Sequence, residues 1–182
     1  MKKPSWLLVF LIVPLHAQAQ EHHSPYAGEQ GREIKALSAE DIQSYLEGRG
    51  MGLARAAELN SYPGPLHVLE LAEQLQLTTP QRSHTEKARA AMLGEAKELG
   101  RFIVQKEKEL DKQFATGRID EGRMRTLIGQ IARLQGELRI AHLQAHLEMK
   151  RTLKPEQVKR YDELRGYNRP GEQHQGHRHG RG

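Results

Sequence analysis

Leu77-Thr78-Thr79-Pro80-Gln81 is the stretch on which the fold turns. The Thr78 hydroxyl can accept from the backbone N–H three residues on, and the Gln81 side chain can reach back to the Thr78 amide. That reciprocal arrangement is a capping box, a helix start. Downstream, Ala88, Met92, Ala96, Leu99, Ile103, Leu110 and Phe114 recur at spacings of three, four or seven, which is a helical apolar stripe. At Thr116-Gly117 glycine can supply the left-handed stop. A second long helix is predicted from about Asp120 to Thr152, striped by Met124, Leu127, Ile131, Leu134, Leu138, His142, Ala145 and Met149. Ile140, Leu143 and Leu147 form a further line well around that cylinder, so its C-terminal half is expected to be gripped by two partners. A helix of roughly 36 residues extends about 54 Å. Two of them, packed antiparallel, leave apolar surface for a second subunit. The expected fold is all-α: a long antiparallel helical hairpin with short flanking helices, in a dimeric cradle.

Working outward, Leu153-Lys-Pro-Glu-Gln157 restarts a short helix through Val158, Tyr161 and Leu164 that ends at Gly166. Residues 168–182 are dominated by Gly, Arg, Gln and His and read as a disordered tail. On the other side, Ser38-Ala-Glu-Asp41 opens a short helix closed near Gly48-Arg-Gly50. A second short helix is expected over Met51–Leu59, ended by Asn60-Ser-Tyr-Pro-Gly-Pro65. Pro65 can open a third reaching about Leu75, since proline fits the first turn of a helix. Gly48, Gly50 and Gly52 follow no strand pattern, so they do not read as a phosphate loop. Residues 20–36 lack periodicity and are expected to form an extended arm. The helical domain then spans residues 37–167.

The first nineteen residues have the layout of a cleaved export signal. Lys2 and Lys3 are followed by an apolar run from Trp6 to Leu15 and by Ala17-Gln18-Ala19. The run is about ten residues where a membrane span needs roughly twenty. Export to a periplasm, with residues 1–19 removed and no transmembrane anchor left, is the expectation. Cleavage removes two lysines and lowers the formal charge of +5 accordingly. With no cysteine in the chain, disulfides and thiolate metal sites are excluded. The basic residues alternate with glutamates, as in Glu95-Ala-Lys97-Glu98, which is the pattern of a solvated, ion-paired helix face. A nucleic-acid surface would be one-signed, so no nucleic-acid partner is expected. There is no glycine-flanked serine elbow and no HExxH pattern. Neither an enzyme nor an organic cofactor is expected.

Two LTxxQ-like boxes bracketing a long hairpin behind an export signal resemble the CpxP/Spy family, with its related ZraP and CnrX-type heavy-metal responders. The resemblance covers about residues 66–167. Leu77, Thr78 and Gln81 match the first box. In the second, Leu153 and Gln157 match but Lys154 replaces the threonine, and a lysine side chain cannot cap a helix N-terminus. The resemblance implies a periplasmic all-helical protein with one of two activities. Such a protein holds unfolded envelope proteins on a concave dimer surface, or it binds metal and reports to a membrane partner such as a sensor kinase.

His142 and His146 lie four apart on the second long helix and share a face with Met149. Imidazoles with a thioether suit Zn, Cu, Ni or Co, and His67 could supply a fourth ligand. The same residues also read as structure, with His142 and Met149 in the core and His146 as a hydrogen-bonded helix histidine. Cleavage after Ala19 would put His22 third in the chain, where amine, amides and imidazole can form a square-planar Cu or Ni site. His174, His177 and His179 in the tail are a compositional metal signal of low selectivity. The leading functional expectation is a metal- and envelope-stress-response protein, with an ATP-independent chaperone as the alternative.

Overall fold

A computed structural model describes residues 24–167; the expected signal peptide with His22, and the tail with His174, His177 and His179, lie outside them. Six α-helices follow one another: α1 Ala39–Glu47, α2 Arg55–Glu58, α3 Pro65–Glu70, α4 Thr79–Ala115, α5 Glu121–Thr152 and α6 Pro155–Leu164. The described residues contain no strand. The chain divides into two units at Gln30/Gly31. Residues 24–30 of the first are turns, closed by bonds such as Ala27 N–H to Ser24 O (2.9 Å), that lead into the single 3-10 turn Glu29–Gly31. All six helices belong to the second.

The long pair forms as its sequence predicts. Thr78 caps α4: its hydroxyl accepts from Gln81 N–H at 3.3 Å, and Gln81 Oε1 accepts from Thr78 N–H at 3.1 Å. Gly117 takes φ 64° just past the end of α4, the left-handed conformation that costs glycine least. Asp120 caps α5 by accepting from Arg123 N–H at 2.7 Å. The α4 and α5 stripes face each other, and α1 lies along α4. The approach of α1 is close because position 100 lacks a side chain: a Cβ built on Gly100 would sit 2.0 Å from the Tyr45 carbonyl oxygen. Ala96, Ile103 and Leu138 are buried at this crossing.

At the open end of the hairpin a second core gathers Val68, Leu75, Ala88, Met149, Leu153, Val158 and Tyr161. Here the two boxes meet. Gln81 Nε2 donates to Gln157 Oε1 at 2.8 Å, and Gln157 Nε2 donates back to Gln81 Oε1 at 3.1 Å. Each amide spends its other donor on a backbone carbonyl, Gln81 on Thr152 O (2.9 Å) and Gln157 on Leu75 O (3.0 Å). Each oxygen also accepts from its own helix start, Thr78 N–H (3.1 Å) or Lys154 N–H (2.9 Å). Both glutamine amides are thereby saturated, and they tie the segment after α3 and the start of α4 to the end of α5 and the start of α6. Lys154 contributes only its backbone, so the second box has lost its side-chain cap and kept its glutamine.

Several expectations are corrected. The helix expected over Met51–Leu59 is helical only at Arg55–Glu58, because Met51 and Gly52 turn left-handed (φ 45° and 76°). The one expected to reach Leu75 stops at Glu70 and continues as turns to Gln76 (φ 51°). Residues 24–36 are turns and bends around a 3-10 turn at Glu29–Gly31 rather than extended chain. Ile34 is buried to 1% exposure, flanked by Glu33 bonded to Lys108 and Lys35 bonded to Asp111 on α4. Phe114, placed in the α4 stripe, is exposed.

Candidate functional site

A turn of helix separates His142 from His146, which puts both on the same face of α5. They are buried, at 4% and 8% exposure. His146 Nδ1 lies 2.7 Å from the Tyr62 carbonyl oxygen. A carbonyl can only accept, so Nδ1 carries a proton in that bond. The close approach needs a glycine at position 64, where a Cβ would lie 2.9 Å from His146 Cε1. His142 Nε2 is buried with no hydrogen-bond partner among the described residues. Burial, and then the neighbouring His146, hold the His142 imidazole below the usual histidine range. Met149, one turn on, is wholly inside the open-end core. The expected set is therefore only partly brought together: the two imidazoles are neighbours, while the thioether packs against apolar groups.

Next to His146 is a group that no local pattern announces. Glu58, on the single turn α2, accepts from Tyr161 Oη at 2.5 Å and from Tyr167 Oη at 3.0 Å. Arg165 Nε lies 3.5 Å away and His146 Nδ1 3.6 Å away. Tyr161 Oη also accepts from Gly64 N–H at 3.4 Å. Burial and then Glu58 push the Tyr161 phenol far above its usual range. Lys150 closes this end, donating to Ser61 O at 2.7 Å above the Tyr62 ring.

Of these groups, Glu58, His146, Arg165 and Tyr167 border a cleft of about 870 Å³ between the 47–67 segment, α4, α5 and the residues after α6. His67, His142 and His146 all line it. His67 is paired with Glu70 at 2.8 Å. Among the described residues no three His, Asp or Glu side chains are placed to hold one metal ion.

On the far side of α5, roughly opposite Met149, lies the second apolar line. Ile140 is 46% exposed and Leu147 44% exposed, with Leu143 half-buried between them. The expectation that this half of α5 is gripped from two sides is met on one side only within the chain. Leu147 also borders a hollow with His84 and Glu148, which are bridged at 2.7 Å. No helix of the described residues is long and apolar enough to cross a membrane.

A family model described as LTXXQ motif family protein matches residues 66–165, more than half of the chain and nearly the span over which the resemblance was read. No curated protein and no solved structure matches.

Proposed function

The chain belongs to the LTXXQ motif family, the CpxP/Spy family of non-enzymatic periplasmic stress-related proteins, and we propose that it works there as an ATP-independent holder of non-native envelope proteins. The observation that carries the reading is the line Ile140–Leu143–Leu147, apolar, at helical spacing and left only half covered by its own chain. A long rigid helix offers such a line to many clients, because apolar contact is non-directional and asks for no matched hydrogen bonds. The homodimer and a membrane sensor partner belong to the same proposal, since either could cover part of this line.

The test is light scattering from a thermally aggregating client, without metal, with the wild-type chain and with Ile140→Glu/Leu147→Glu. Covering a half-exposed leucine or isoleucine contributes about 1 kcal/mol, and a charge in its place opposes burial, so suppression should need roughly tenfold more variant. Sedimentation of both forms reports whether the same change dissociates a dimer. A wild-type chain that leaves the client's aggregation unchanged refutes the proposal.

A second reading, transition-metal binding in the cleft, has one observation in its favour: the unpartnered Nε2 of His142 beside His146. The donor set does not fit an ion as it stands. Met149 is locked in the core, His67 is turned to Glu70, Glu58 is taken up by two tyrosines, and among the described residues no group of three His, Asp or Glu is placed to hold an ion. A competitive Zn(II), Cu(II) and Ni(II) titration of the chain, of a form ending at Arg169 and of His142→Ala/His146→Ala separates this pair from the tail histidines. Loss of tight binding only in the double variant supports it; equal binding by all three forms, or by none, ends it.

A further inference from the structure

The same cleft has a character that neither reading uses. Arg49, Arg55, Arg89, Lys97 and Arg165 line it against only Glu47 and Glu58. Both acids are engaged, Glu47 by Arg49 at 2.7 Å and Glu58 by two tyrosines and Arg165. Arg55 and Arg89 have no carboxylate within ion-pair distance among the described residues; the Arg55 guanidinium lies over Gly52 instead.

Between these cations the lining is apolar. Met51, Leu59 and Leu66 are 43%, 59% and 43% exposed there, with Met92 and Leu93 half-buried on α4. Met51 is held in the left-handed region at φ 45°, an unusual conformation for a residue with a side chain, and it sits at the lip of the cleft. Unbranched methionine side chains adapt to a ligand of variable shape. The volume is within the range of small-molecule clefts.

We propose that this cleft binds a long-chain carboxylate, with its head group on Arg55 and Arg89 and its hydrocarbon chain along Met51, Leu59, Leu66 and Met92. Guanidinium forks match a carboxylate bidentately. An acyl chain needs no hydrogen bonds along its length, whereas an extended peptide would need backbone partners, and the described residues form no strand to supply them. The client-holding line shares no residue with the cleft, so either proposal can fail alone.

The test is displacement of a fluorescent fatty acid from the full chain by oleate below its micelle concentration, with oleyl alcohol as the uncharged comparison. Oleate should compete, oleyl alcohol should do so at least tenfold less well, and Arg55→Ala/Arg89→Ala should weaken oleate at least tenfold with an unchanged thermal melt. Arg55→Lys/Arg89→Lys, which keeps the charge, should recover part of the affinity. No binding of oleate, equal binding of the alcohol, undiminished binding by the alanine variant, or displacement of the probe only by an acidic, leucine-rich peptide would each overturn it.

Discussion

Replacing either glutamine of the two boxes should loosen the open end of the hairpin, and replacing both should cost less than the two single changes together. Gln81→Ala removes the two bonds to Gln157, the bond to Thr152 O and the reach back to Thr78 N–H. Each neutral hydrogen bond contributes about 0.5–1.5 kcal/mol net. The site is only part-buried, so water re-solvates some of what is left behind. A loss of about 2–3 kcal/mol follows from the lower half of that range plus the weakened cap. Gln157→Ala removes a matching set, including Leu75 O and Lys154 N–H, and should cost about the same. The two reciprocal amide bonds are counted in both single variants but can be lost only once. The double variant should therefore fall short of the sum by about 1–2 kcal/mol. Urea unfolding followed by far-UV circular dichroism gives all four stabilities. Additivity within about 0.5 kcal/mol would refute the claim that the boxes act as one clasp, and would leave two independent helix caps.

Gly100→Ala should lower stability by about 1–3 kcal/mol despite alanine's better helix propensity, because α1 must retreat from a Cβ that would sit 2.0 Å from Tyr45 O. Gly94→Ala on the same helix meets nothing within 4 Å and should instead raise stability by about 1 kcal/mol, so thermal melts of the pair should move in opposite directions. On acidification the unfolded chain takes up a proton at His142 before the folded one does, since the folded pKa is lowered. Stability should therefore fall as pH drops below about 6.5, by at most about 1.4 kcal/mol per pH unit from this residue, and His142→Gln should flatten that slope in urea titrations.

What could be read from the residues alone is what the chain decides locally. The stripes of α4 and α5 are a period repeated over many turns. Thr78, Ser38 and Asp120 each cap within three residues of themselves, so their helix starts were visible without the fold. Short helices were overextended for a physical reason: Leu71–Gln76 carries acceptable helix formers and Met51–Ala54 only one glycine, but Met51 and Gln76 take left-handed conformations that composition does not announce, the latter in a turn closed by Leu77 N–H to Ala72 O. Ile34 was invisible as a core residue because Ile34, Ala36 and Leu37 are too short an apolar set to carry a period.

The same divide runs through the candidate site. His142, His146 and Met149 were found because one helix face presents them, but whether a side chain at such a position meets a ligand or a core depends on what crosses that face. Val68, Leu75 and Tyr161 arrive from distant parts of the chain and take Met149 into the core. Glu58 had no local signal at all, since its tyrosine donors lie 103 and 109 residues away. The two glutamines are the intermediate case. Each box was legible as a helix start, and their recurrence on either side of the hairpin was legible as a pattern. Only folding shows why the pattern needs glutamine. A Glu at that position could reach back to its own amide, but two carboxylates have no N–H groups to exchange and would repel. Two amides can each give and receive. A motif that looks like two separate caps is thus one contact written twice, and the threonine is the part that Lys154 shows can be lost.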